Sequence, residues 1–277
     1  MRTPAERYGM AALTLVLAVI ALLALSPFYF VLVNSVKTYG EVLKSASALP
    51  KRLAFENYAV AWDYVSFPRA FMNSIVITTV SLVTMVTLGA MAAWRMVRRP
   101  HRISALVFGL FVVAMVVPFQ SVMIPMMKVV SELGLLNNRL GIMVIYQGFG
   151  MPFTVFLLHG FVKTVPRELE ESAYLDGCHT IQTFYHIVLP LLKSIIATVA
   201  ILQTFWIWND FLLPLLVLFD PVKRTIPLAV FSFFGQYTDR WDYALATLTM
   251  GMVPIVTFFL LLQKYIIRGV AAGSLKG

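Results

Sequence analysis

The sequence predicts an all-α integral membrane protein of six transmembrane helices. Composition and run length carry that reading. Of 277 residues, 60% are hydrophobic and 13% are charged; soluble domains sit near about 45–50% and about 25%. The apolar residues also fall in runs of about 20, the length a helix needs to cross a hydrocarbon core about 30 Å thick. Strict apolar–polar alternation, the mark of a membrane barrel, is absent. Inside a bilayer the backbone finds no water, so such runs satisfy their own polar groups as helices.

In chain order the spans are expected at roughly Gly9–Val33, Ala70–Trp94, Ile103–Met127, Leu140–Val162, Val188–Leu213 and Tyr243–Ile267. The first follows Arg2 and Arg7 but is longer than the about 7–15 apolar residues of a secretory signal, so it reads as a retained span. Gln203, Asn209 and Asp210 interrupt the fifth. The short connection after the second span packs Arg95, Arg98, Arg99 and Arg102 together, which places it in the cytoplasm by the positive-inside rule. Six spans then put both termini inside. The loop from Asn34 to Arg69 also carries Lys37, Lys44, Lys51, Arg52 and Arg69, diluted by Glu41, Glu56 and Asp63. The net charge of +9 is met by anionic lipid headgroups and needs no nucleic acid.

Several chemistries lack their residues. No GxxxxGK[ST] loop is present. The histidines His101, His159, His179 and His186 have no metal-ligand spacing, and His159 is expected to hydrogen-bond a neighbouring helix. Cys178 stands alone, so no internal disulfide forms. Asp210 is the one good candidate for an intramembrane acid; ion-coupled carriers usually keep ionisable groups near the midplane.

The polar stretch from about 164 to 190 sits between the fourth and fifth apolar runs. Thr164 offers an N-cap and Pro166 suits a first helical turn. Glu168, Glu170 and Glu171 place negative charge at the positive end of that helix. Leu169, Ala173 and Tyr174 share its apolar face. Gly177 is suited to a left-handed termination. Thr180–Val188 forms a second short helix, and Pro190 opens the fifth span. Ser172, Ala173 and Gly177 are small enough for another surface to approach closely.

These residues carry a resemblance. Glu171-Ser172-Ala173, three residues, Gly177, nine residues and Ile187-x-Leu189-Pro190 resemble, gap for gap, the EAA loop of ABC importer permeases. The departure is Ser172, where that family usually has alanine. Asn73-Ser74-Ile75 resembles the family's start of the second span. Trp208-Asn209-Asp210-Phe211 resembles a fifth-span motif of carbohydrate permeases. Arg268–Gly277 is similar to the terminal signature of the smaller permease of maltose-type importers. The resemblance spans essentially the whole chain.

It implies a type I ABC importer permease, a single transmembrane domain over 1–277 with a cytoplasmic coupling helix. Glu171, Ser172, Ala173, Asp176, Gly177, Ile187, Leu189 and Pro190 would form the ATPase-coupling loop, and Gly273, Ser274, Leu275, Lys276 and Gly277 would reach the ATPase dimer. The implied partners are a second homologous permease, two ABC ATPase subunits and an extracytoplasmic solute-binding protein, in a bacterial or archaeal cytoplasmic membrane. ATP and Mg would sit on the ATPase chains, with no cofactor and no catalysis on this one. The implied cargo is a sugar or oligosaccharide; a polyol or glycerol phosphate ester is the alternative, and an ion-coupled carrier the more distant one. Trp206, Trp208, Asn209 and Asp210 fit two readings, a sugar pathway of aromatic faces with polar groups or an interfacial aromatic belt.

Overall fold

A computed structural model of the chain describes residues 4–234 and 239–274. The helices run α1 (Pro4–Ser35), α2 (Tyr39–Lys44), α3 (Glu56–Tyr64), α4 (Phe67–Arg98), α5 (Arg102–Val116), α6 (Phe119–Glu132) and α7 (Arg139–Val162). They continue as α8 (Glu168–Leu175), α9 (Thr180–Thr183), a wide π turn at Phe184–Val188, α10 (Leu189–Leu191), α11 (Lys193–Asn209), α12 (Leu212–Val217), α13 (Ile226–Val230) and α14 (Trp241–Ser274). Gly273 and Ser274 end the last helix, while Leu275, Lys276 and Gly277 lie outside the described residues.

Among the described residues, four helices are long and apolar enough to cross a bilayer, over Gly9–Ser35, Phe67–Arg98, Arg139–Val162 and Trp241–Leu261. Two bent pairs complete the six expected spans if each pair is one span. The bends correct the expectation of continuous third and fifth spans. The third breaks by 110° between Val116 and Phe119. Pro118 cannot donate to the helix ladder, and it holds Val117 at φ −74°, ψ 116°, the extended region forced on a residue before proline. The fifth bends by 77° at Leu192, two residues after Pro190. Pro190 therefore sits in the short α10, and the straight part of the span begins at Lys193. The turn just before it widens to π geometry over Phe184–Val188, a common accommodation at a kink.

The chain forms two compact units. One comprises Met1–Phe67 with Ala229–Met252; the other comprises Pro68–Leu228 with Val253–Gly277. In the first, the span window of α1 buries nothing against the chain. Its end is fastened by a polar knot. Lys37 is 1% exposed and its Nζ donates to Asn34 Oδ1 at 2.9 Å and to the carbonyls of Ser45 and Ala46 at 2.9 and 3.3 Å. Burial pulls this ammonium below the usual lysine range. Asn57 Nδ2 donates to the Ser35 and Lys37 carbonyls. A buried amine survives here because each donor has an acceptor.

In the second unit, α4, α7 and α11 share one core. Met85, Ile142, Tyr146 and Ile207 pack together. Val86, Ala90, Leu158, Val188 and Val199 form a further cluster with Trp94 and Phe184. A Cβ at Gly150 would meet the thioether end of Met85, which would have to move aside. The Gly150 carbonyl accepts from Gln203 Nε2 at 3.0 Å, and the same nitrogen donates to Thr154 Oγ1 at 3.1 Å. Small residues and amide bonds of this kind join helices in a bilayer, where the surrounding lipid is as apolar as their side chains.

The Asn73-Ser74 pair has a direct structural use. Asn73 Nδ2 donates to the carbonyls of Val222 and Arg224, both at 2.9 Å. Ser74 Oγ accepts from Ile226 N at 2.9 Å. Two adjacent side chains of α4 thus staple a loop about 150 residues away. Asn73→Ala leaves two carbonyls without their donor, at a cost of about 1–3 kcal/mol. A clearly lower melting temperature in mild detergent is expected, with unchanged helix content by circular dichroism. An unaltered melting temperature would show that the staple does not bear load.

Candidate functional site

The site is the helix–turn–helix built on α8, and its first-turn acids are not equivalent. Glu168 and Glu171 are exposed, whereas Glu170 is buried. Glu170 Oε1 accepts from Arg98 Nε at 2.7 Å, and Arg98 Nη2 reaches the same oxygen at 2.7 Å. Glu170 Oε2 accepts from Trp94 Nε1 at 2.9 Å. Arg98 Nη2 also donates to the Val165 carbonyl at 2.8 Å. One carboxylate and one guanidinium therefore bind α8, the turn before it and the end of α4 into a single piece. Both side chains are nearly enclosed, 12% and 6% exposed. A charge pair this buried is costly to assemble but far costlier to half-remove.

This geometry corrects one expectation. Thr164 does not cap α8; its hydroxyl donates back to the Phe161 carbonyl at 2.8 Å. Helix α8 starts at Glu168, after Pro166 and Arg167. The face turned to the chain is Glu170 with Ala173. Leu169 and Tyr174 are each 44% exposed and Leu175 is 89% exposed. The helix therefore holds on through an ion pair and presents its large apolar side chains outward, beside Glu171, Ser172 and Asp176, which are also exposed.

Termination at Gly177 is as expected. Its φ is +85°, where a side chain costs backbone strain. Gly177 N donates to the Tyr174 carbonyl at 3.1 Å and Cys178 N to the Ala173 carbonyl at 2.9 Å. These are the two bonds of a Schellman motif. His179 then caps α9, its Nδ1 accepting from Gln182 N while Gln182 Oε1 accepts from His179 N. Phe184 is fully buried and its ring lies 5.4 Å from that of Trp94. Trp94 thus touches both arms, Glu170 by a hydrogen bond and Phe184 by its ring. Ile187 and Leu189 are half-buried, Val188 between them is fully buried, and Pro190 is exposed.

Trp94, Arg98 and Glu170 were not among the residues the motif picked out. Two signals pointed to them. Glu170 lies three residues from Ala173, on one helical face. Trp94 and Arg98 end α4 beside the arginine-rich connection, where charge alone says only which side of the membrane they occupy.

The second group of predicted residues is spread over distinct environments. Asp210 Oδ2 accepts from the Tyr146 hydroxyl at 3.0 Å. Its Oδ1 accepts from Leu212 N and Leu213 N at 3.1 and 3.4 Å, which makes it a cap for α12. Asn209 is exposed and donates to its own helix at the Phe205 carbonyl. Trp206 is 39% exposed and edge-on to Tyr146. Trp208 is buried, edge-on to Phe71. His159 stacks on Phe108 with ring centres 3.9 Å apart, in place of the expected hydrogen bond.

Known proteins place this architecture. Residues 85–272 match the family described as the binding-protein-dependent transport system inner membrane component. The chain belongs to that family. It is 40% identical over 266 residues to the probable starch degradation products transport system permease protein AmyC of Thermoanaerobacterium thermosulfurigenes, covering 95% of this chain and 96% of that one. It is 35% identical over 274 residues to the melibiose/raffinose/stachyose import permease protein MelC of Bacillus subtilis, covering 99% of both. The fold is similar to a chain of a bacterial ABC transporter involved in import of the acidic polysaccharide alginate, with TM-score 0.83, 20% identity and coverage of 96% and 99%.

The enclosed ion pair makes a sharp prediction for the isolated chain. Arg98→Ala and Glu170→Ala should each lower stability by about 3–5 kcal/mol, because each strands a buried charge. The double variant should cost much less than the two added together. Additive losses in the detergent melting temperature would show that the two side chains do not form one unit.

Proposed function

We propose that this chain is one permease subunit of an ATP-driven importer that carries a sugar or oligosaccharide into the cytoplasm. The observation that carries the coupling role is α8 itself, fixed from within by Glu170 and displaying Leu169, Glu171, Tyr174 and Leu175 outward. An exposed apolar set on a helix held this firmly fits a docking face for another protein better than a solvated loop. The carbohydrate cargo is supported by relatives named for starch degradation products and for melibiose, raffinose and stachyose.

The partners on this reading are a second related permease, two ABC ATPase subunits and an extracytoplasmic solute-binding protein. A complex in the alginate system contains a pentasaccharide-bound periplasmic protein, which supports the last of these. Both termini and α8 face the cytoplasm. ATP and Mg belong to the ATPase chains, and this subunit is not itself a catalyst. On this reading the tail Gly273–Gly277 contacts the ATPase dimer. As the ATPase pair closes, α8 moves as a rigid body and takes α4 with it through Arg98 and Trp94, and the π-turn arm with it through Phe184. Packed helices respond to such a push by switching between discrete arrangements. Loaded binding protein drives the switch to the extent that it prefers one arrangement.

Affinity purification from native membranes in mild detergent tests the assembly; recovery of an ATPase, a second permease and a binding protein is expected. Leu175→Arg tests the docking face. Leu175 has almost no contact with its own chain, so the variant should insert at wild-type level and keep its melting temperature, yet lose the ATPase from the purified complex. Retention of the ATPase at wild-type yield would contradict the assignment of this face.

A further inference from the structure

A second feature lies away from α8, within the helices of the larger unit. Thr78 stands 11 residues into α4 and Thr204 stands 11 residues into α11, about 16 Å from either helix start. Between them is a cleft of about 240 Å³, lined mostly by apolar side chains, Trp208, Pro254 and Phe258 among them, together with Thr78, Thr79 and Thr204.

Its polar groups are without partners. The Thr204 hydroxyl is buried and makes no hydrogen bond. The hydroxyl of Thr78 and the indole N–H of Trp208 make none either among the described residues, and Thr79 beside them is exposed. Helical threonines elsewhere behave differently: Thr14, Thr84, Thr198, Thr247, Thr249 and Thr257 each donate to the carbonyl four residues back. Thr78, Thr204 and Trp208 are more than nine-tenths buried, at 5%, 6% and 8% exposure. A buried polar group left unpaired is a cost, and the Thr204 hydroxyl is one that a ligand would relieve. Hydroxyls and an N–H arranged with aromatic surface suit a hydroxylated ring, whose edge is polar and whose face is apolar.

We propose that this cleft receives a single sugar ring of the passing cargo, with Thr204 and Thr78 bonding ring hydroxyls and Trp208 supplying an N–H and aromatic surface. This rests on the carbohydrate reading above. At about 240 Å³ the cleft is smaller than the about 300–1,000 Å³ typical of whole-ligand pockets. It is a subsite for one ring, and the remainder of an oligosaccharide lies outside it.

The test uses the complete transporter with its binding protein in proteoliposomes. Uptake of labelled maltotriose, raffinose and glycerol 3-phosphate is measured for wild type, Thr204→Val and Trp208→Leu. Thr204→Val keeps the side-chain shape and removes an unsatisfied hydroxyl, so a purely structural role would leave it as stable as wild type or more so. The subsite predicts instead that sugar uptake falls roughly 3- to 10-fold while melting temperature and ATPase recovery hold. Trp208→Leu should fall further, and read beside its own melting temperature it separates binding from folding. Wild-type uptake in Thr204→Val would overturn the subsite and leave the carbohydrate reading standing; it is the result expected if a lipid chain or a helix of the partner permease fills the cleft. Uptake of glycerol 3-phosphate alone by the wild type would overturn both.

Discussion

The site depends on the burial of one carboxylate. Glu170 gives up water at the membrane surface and recovers donors from Trp94 and Arg98. Removing an ion from water is expensive, and only close, well-directed partners offset it. A carboxylate partnered this way has very few positions it can occupy. That restriction is the useful property. A surface loop held by apolar contacts could slide, whereas α8 held by a buried ion pair must move with α4 or lose the pair. Charge burial here contributes definition of position more than net stability.

The bilayer accounts for much of the rest. Spans are helical because lipid offers the backbone no partner, and the sequence showed them through their length and composition. What it showed poorly was continuity. The run from Ile103 to Met127 is uniformly apolar, so hydropathy reads through Val117-Pro118 without a break. The local chemistry at that dipeptide is unambiguous once attended to: an absent donor and a preceding residue pushed out of helical geometry. Pro190 repeats the lesson, the bend at Leu192 lying within what reads as one span.

Motif residues were legible in the sequence and their contacts were not. Gly177 follows from backbone geometry alone, and the structure places it at a positive φ with both Schellman bonds. Periodicity marks the apolar face of α8 but does not say which face meets the chain. Leu169 and Tyr174 turn outward, and an acid turns inward, because the Trp94 and Arg98 donors that meet Glu170 lie about 70 residues earlier in the chain. Nothing local encodes that pairing. Asp210 is a milder case: a lone acid in an apolar run invites a functional reading, and here it caps α12 and holds the Tyr146 hydroxyl.

The claim that α8 transmits force through Glu170 is tested most directly by the number of substrate molecules imported per ATP hydrolysed in the reconstituted complex. The comparison is between wild type and Glu170→Gln, which keeps the shape and loses the charge. The account predicts that ATP hydrolysis continues while import per ATP falls by at least about 5-fold, since the outward face still docks but no longer carries α4 with it. An unchanged ratio would contradict it.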